Sequence, residues 1–117
     1  MEKNGITFSV LIKKDEGLFI AHCLELDIVA TAPTIEQLKK DIVSLIRAQL
    51  EFAFDNDNLE NLFHPAPKEV WQEFYSCKDG ETEIQKIENN QRKHINPSIP
   101  PYLTTNTCFF PQEAYFD

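Results

Sequence analysis

Hydrophobic and polar positions change their period along this chain, and each change marks an element. From Ile6 to Ile12 the period is two, with Ile6, Phe8, Val10 and Ile12 on one side and Thr7 and Ser9 on the other. That spacing predicts a strand with one buried face. Lys13-Lys14-Asp15-Glu16-Gly17 is a polar run closed by glycine and predicts a hairpin loop. Leu18 to Cys23 resumes as a largely apolar strand, Leu24-Glu25-Leu26-Asp27 forms a short bend, and Ile28 to Thr31 makes a third strand. Connections this short favour antiparallel neighbours, so the three strands should form a meander.

The period then lengthens. Pro33-Thr34-Ile35-Glu36-Gln37 places Thr34 as helix N-cap with Gln37 three residues on, a capping-box pattern, and Glu36 in the first turn suits the helix dipole. Ile35, Leu38, Ile42, Leu45, Ile46, Gln49 and Ala53 follow the i, i+3, i+4 rule, leaving Lys39, Lys40, Arg47 and Glu51 largely outside. A helix from Thr34 to Phe54 should therefore lie across one face of the meander. Its last turn, Leu50 to Phe54, is apolar on more than one side and requires cover from the C-terminal half or from a partner.

Asp55 to Asn58 ends that helix, and Leu59 to Phe63 leads into His64-Pro65-Ala66-Pro67. Pro67 suits the opening of a shorter helix over Lys68 to Tyr75, with Val70, Trp71, Phe74 and Tyr75 as its apolar side. At that spacing the aromatics read as core more than as a recognition cluster. Lys78-Asp79-Gly80 predicts a turn, Thr82 to Glu88 a weakly alternating strand, and Tyr102 to Phe110 a terminal strand. Asn89 to Asn96 is polar, and Pro97, Pro100 and Pro101 make 89–101 irregular. The fold class is α+β in a single domain, 1–117: a β-β-β-α unit at 5–54 and an extension at 55–117 packed on it, with a short helix and one or two further strands.

Composition narrows the function classes. A net charge of −8 argues against a nucleic-acid binder with a broad basic surface, and the basic doublets Lys13-Lys14, Lys39-Lys40 and Arg92-Lys93 are ordinary solvated positions. Three widely spaced cysteines, Cys23, Cys77 and Cys108, argue against a disulfide framework. With no signal-like run at the start and no stretch approaching the ~20 apolar residues of a membrane span, a reducing cytoplasm is the simplest compartment.

Phe8-Ser9-Val10, Asp15-Glu16-Gly17-Leu18-Phe19-Ile20, Leu24-Glu25-Leu26-Asp27 and Ala32-Pro33-Thr34-Ile35-Glu36-Gln37-Leu38 together resemble the HicB-like antitoxin domain. The match covers residues 5–54, with Ala32-Pro33 where the family has a glycine before the helix threonine. The resemblance implies a partial RNase-H-like fold and a stoichiometric, non-enzymatic role without a cofactor. In that role the antitoxin covers the surface of a small basic toxin. Full antitoxins also carry a DNA-binding C-terminal part. Residues 55–117 hold 11 acidic and 5 basic residues, a net of −6, and resemble neither a helix-turn-helix nor a ribbon-helix-helix. What is implied is a stand-alone HicB-like protein without operator binding.

An acidic protein suits a basic partner through charge complementarity, and Asp15, Glu16, Glu25 and Asp27 are the candidate partner-binding residues. Exposed strand edges and the surplus apolar surface of the long helix point to a homodimer. The alternative reading is a small-ligand or nucleic-acid binding module with a pocket between the meander and the C-terminal half. His22-Cys23 sets a base beside a nucleophile, but neighbours on a strand point to opposite faces, so a packed Cys and a half-exposed His is the better reading. A metal site from Cys77, His94 and Cys108 lacks any short ligand spacing. RNase-H-type catalysis lacks carboxylates within the first strand.

Overall fold

The computed structural model describes residues 5–77, 80–86 and 102–109. In chain order the elements are β1 (Gly5–Asp15), β2 (Leu18–Cys23), β3 (Ile28–Ala32), α1 (Ile35–Asp55), a 3-10 turn (Leu59–Asn61), α2 (Lys68–Tyr75), β4 (Gly80–Lys86) and β5 (Tyr102–Phe109). The Lys78-Asp79 turn, the polar and proline-bearing stretch 89–101 and His94 lie outside the described residues.

The hairpin loop expected over five residues contracts to two. Lys13, Lys14 and Asp15 continue the ladder opposite Ile20, Phe19 and Leu18. Glu16 and Gly17 alone make the turn, with φ of 50° and 85°. Two consecutive left-handed residues match the twist of the flanking strands, which is why Gly17 is needed there. Lys14 stays in the strand with its ammonium 5.7 Å from the centroid of the Phe19 ring.

The meander forms as expected, but it is only part of one mixed five-stranded sheet, ordered β3-β2-β1-β5-β4. β5 runs parallel to β1, from Gly5 opposite Tyr102 to Ile12 opposite Phe109. β4 then pairs antiparallel with β5 and forms the far edge. The C-terminal half therefore does not merely pack on the meander. It supplies β5 as the second neighbour of β1, which thereby becomes the central strand of the whole sheet.

This topology corrects the reading of β1 as a strand with one buried face. Phe8, Val10 and Ile12 join Ala21, Cys23, Ala30, Ala32 and Leu103 in a main core closed by Leu38, Ile42, Val43, Ile46, Leu50 and Ala53 of α1. Leu11 points the other way, into a smaller core with Leu24, Ala66 and Cys108, against which Val70, Trp71 and Phe74 of α2 pack. β1 is central, so both of its faces are covered.

α1 spans 21 residues, and Thr34 caps it as expected: its hydroxyl oxygen accepts from the Gln37 backbone N–H at 3.1 Å. The Gln37 side chain donates forward to Asp41 at 2.8 Å, a bond within the first turns of the helix. The core stripe is rotated from the expected one. Val43 and Leu50 face the core, whereas Leu45 is 40% exposed and Gln49 lies outside. At about 100° per residue, a stripe centred on Ile42, Ile46, Leu50 and Ala53 leaves Leu45 on its flank. Lys39 and Arg47, expected outside, are half-buried, and the Lys39 ammonium lies 5.5 Å from the ring centroid of Phe109 on β5. Its aliphatic stem follows apolar surface to reach that position.

Candidate functional site

The end of the sheet where β2 turns into β3 concentrates the polar side chains. Leu24 extends the ladder one step past Cys23 by donating its N–H to the Ser9 carbonyl at 2.9 Å. The chain then leaves the sheet, and the Glu25 carboxylate folds back to serve as the missing acceptor. Its Oε1 accepts from the Ser9 N–H at 2.7 Å and its Oε2 from the Ser9 hydroxyl at 2.9 Å. A charged acceptor thus satisfies a backbone donor that the departing strand cannot reach. Glu25→Ala should accordingly lower stability by about 1–3 kcal/mol through the stranded Ser9 N–H. The check is a urea midpoint that falls at unchanged slope, and an unchanged midpoint would remove this role from Glu25.

Asp27 adopts a φ of 56° in the same bend, a conformation that Asp tolerates better than most side chains. Its Oδ1 sits 2.5 Å from Nε2 of His22. His22 pairs across the sheet with Leu11, and Cys23 with Val10. The two side chains therefore point to opposite faces, and His22 meets a carboxylate rather than the thiol. Cys23 is fully buried. Burial pushes its thiol up to about 12, opposed by the Leu26 backbone N–H, reinforced by the Glu25 charge and opposed again by the Glu25 backbone N–H.

The four candidate carboxylates do not form one patch. Asp15 and Glu16 are exposed at the β1–β2 turn, whereas Glu25 and Asp27 sit at the other end of the six-residue β2. At 3.2–3.4 Å per residue the two ends are roughly 20 Å apart. Glu25 is engaged by Ser9 and Asp27 by His22. Among the described residues, no group of three or more His, Cys, Asp or Glu side chains is placed to hold a metal ion.

A second feature joins the halves. Cys77 and Cys108 form a disulfide, Cα to Cα 5.9 Å across a sequence separation of 31. This corrects the expectation drawn from three distant cysteines. β5 lies beside β1 with Cys108 opposite Leu11, and α2 covers that face, so its C-terminal end arrives at Cys108. Cys23, on the main-core face, is the odd one out. The local sequence holds no signal for the pair, because the parallel β1–β5 contact that creates it is long-range.

Beside the disulfide lies a cleft of about 190 Å³ lined by Phe74, Cys77, Gly80, Thr82, Asn106, Thr107 and Cys108. The Thr82 hydroxyl donates to the Asn106 side-chain oxygen at 2.8 Å within it. The walls come from α2, β4 and β5 rather than from the meander, and the volume lies below the ~300 Å³ at which small-molecule sites begin. Next to the cleft, the α2 aromatics divide between two environments. Trp71 and Phe74 are half-buried in the smaller core, while Tyr75 is 73% exposed with its ring 5.9 Å from that of Trp71. Among the described residues no helix is long and apolar enough to cross a membrane. No family model, no curated protein and no solved structure matches this chain.

Proposed function

We propose that this chain is a non-enzymatic, HicB-like protein that acts by protein–protein contact, as an antitoxin-like or antitoxin-derived protein without a DNA-binding domain of its own. The observation that carries the reading is the outer flank of α1. Leu45 and Phe52 are 40% and 60% exposed, with the exposed Ala48 between them. Positions i, i+3 and i+7 share one side of a helix, and an apolar seam of this spacing is a docking surface for another protein. Two further features support it. β3 is an edge strand without a charged residue, and its Val29 is 52% exposed. Edges of that kind pair readily with a second chain, including another copy. The net charge of −8 favours a basic partner and disfavours direct DNA binding.

The test has two arms. A neighbouring reading frame should encode a small basic protein that co-purifies with this chain. The double substitution Leu45→Asp with Phe52→Asp should abolish co-purification while leaving the melting temperature close to that of the parent. Absence of such a neighbour, together with purification as a lone monomer, would sink the proposal.

A cytoplasmic setting suits this role, and it bears directly on the Cys77–Cys108 bond. Disulfides in a reducing cytoplasm are transient and redox-sensing more often than permanent.

A further inference from the structure

We propose that Cys77 and Cys108 form a thiol-exchange site whose co-substrate is a dithiol, and that their bond is a latch holding α2 on the second face of the sheet. The inference stands apart from the antitoxin-like reading and requires no protein partner.

Among the described residues, the contacts that hold α2 other than that bond are weak. It has eight residues, its N-cap residue Pro67 provides no side-chain cap, and none of its residues is fully buried. A helix this short does not persist in water by itself. Its ion pair, Glu73 to Lys13 at 2.6 Å, is more than a third exposed on both sides, the kind that contributes little. The apolar cover is modest: half-buried Val70, Trp71 and Phe74 over Leu11 and Leu24. The segment ahead of the helix is anchored independently, by Ala66 N–H to the Leu24 carbonyl at 2.7 Å and His64 N–H to the Glu25 carbonyl at 3.0 Å. Beyond Cys77 the chain is next fixed at Gly80, which pairs with Cys108 in the β4–β5 ladder. Breaking the disulfide therefore leaves α2 as a strap tethered at both ends, able to lift from the sheet within the reach of three residues, roughly 10 Å.

The site is also built for exchange. Both sulfur-bearing residues line the 190 Å³ cleft, which has room for the –CH₂–SH end of a dithiol. Cys77 is half-buried and Cys108 buried, so attack falls on the Cys77 sulfur. A thiolate of the dithiol bonds to that sulfur, the S–S bond breaks, and its electron pair leaves on Cys108, which takes a proton. The second thiolate of the reagent then attacks its own half of the mixed disulfide and closes a cyclic disulfide. Cys77 departs with the electron pair and takes the second proton. In sum, two electrons and two protons pass from the dithiol to the cysteine pair. The reduced Cys77 finds an acceptor already in place, since its sulfur lies 3.5 Å from the Phe109 carbonyl oxygen. Cys23, buried on the opposite face, stands outside the exchange.

The experiment treats the full-length protein, oxidised with glutathione disulfide, with dithiothreitol in native buffer and follows three signals. Thiol titration should rise from one reactive-on-unfolding cysteine to three. The emission of Trp71, the only tryptophan, should shift to the red as α2 lifts. Far-UV circular dichroism should retain the α1 contribution. The Cys77→Ser/Cys108→Ser double variant should show the red-shifted emission without reductant and no response to it. The proposal is overturned by three thiols remaining after oxidation, by a bond that yields only in denaturant, or by Trp71 emission unmoved after full reduction. Loss of the α1 signal on reduction also overturns it, because the bond would then staple the whole fold rather than latch one helix.

Discussion

Phe8→Ala should lower the free energy of unfolding by about 3–5 kcal/mol, the range for deleting a fully buried phenylalanine side chain. Phe8 is 0% exposed and sits on β1 opposite Thr105 of β5, with its side chain in the main core. Beneath it lies the α1 stripe, and the Phe63 ring stacks against it with centroids 6.4 Å apart and planes 23° apart. The void left by alanine cannot collapse easily. Around Phe8, β1 is fixed by the β5 ladder on one side and by the Ser9 bonds to Leu24 and Glu25 next to it on the other, and α1 is supported along its apolar stripe. Against the ~5–15 kcal/mol that small domains possess, such a loss takes a large share, with a melting temperature lower by on the order of 10–20 °C. Phe52→Ala serves as the control. Phe52 is 60% exposed, so its truncation should stay within about 0.5 kcal/mol. Urea denaturation of both variants decides the matter, and equal losses would mean that the core is not centred where Phe8 places it.

That contrast shows what could be read from the pattern of residues and what could not. Phe8, Val10 and Ile12 declared their common face by alternation, Thr34 declared the start of α1, and Lys68 to Tyr75 emerged with the bounds that Pro67 and its apolar positions implied. All of these are signals within a few residues of the feature they specify. The misreadings share the opposite property. The alternation puts Leu11 on the face of Thr7 and Ser9, expected to be open, whereas its cover comes from α2, more than fifty residues on. Leu45 looked like core because it satisfies the i, i+3 rule. Only the lie of α1 over the sheet reveals that Val43 and Leu50 take that side instead. The Cys77–Cys108 bond depends on β5 entering the sheet parallel to β1, a pairing that joins the two ends of the described chain. Local composition has no means of expressing such a contact, whose cost is closure of a long loop and whose gain appears only once the sheet is assembled. At the candidate site, Glu25 and Asp27 were legible as acidic bend residues. Their bonds to Ser9 and His22 were not, because those require the register in which Ser9 lies beside the point where β2 leaves the sheet.

Above pH 9 the protein should lose stability steadily, and Cys23 should be responsible for a definable part of the loss. Its thiol is raised from 9.0 to about 12, so between those values the unfolded chain has released the proton while the folded chain still holds it. Fewer protons on the unfolded state means that the free energy of unfolding falls as pH rises. The stabilisation is fully present below pH 9 and drains away toward pH 12 at about 1.4 kcal/mol per unit. By pH 11 the deficit from this one group is about 3 kcal/mol, comparable with a core truncation. The physical origin is that a thiolate would have to sit at 0% exposure among Val10, Ala30 and the α1 side chains, with only the backbone N–H groups of Leu26 and Glu25 to receive it. Cys23→Ala removes the group and should flatten this component even though it costs some packing at neutral pH. Urea titrations of parent and variant at pH 7, 9, 10 and 11 separate the effect from other alkaline ionisations, because those are common to both chains. The difference between the two unfolding free energies should be constant up to pH 9 and then shrink with pH, since the parent carries the extra loss. Curves that remain parallel through pH 11 would mean that the thiol ionises without opening the core, and that the face of β2 bearing Cys23 is reached by solvent.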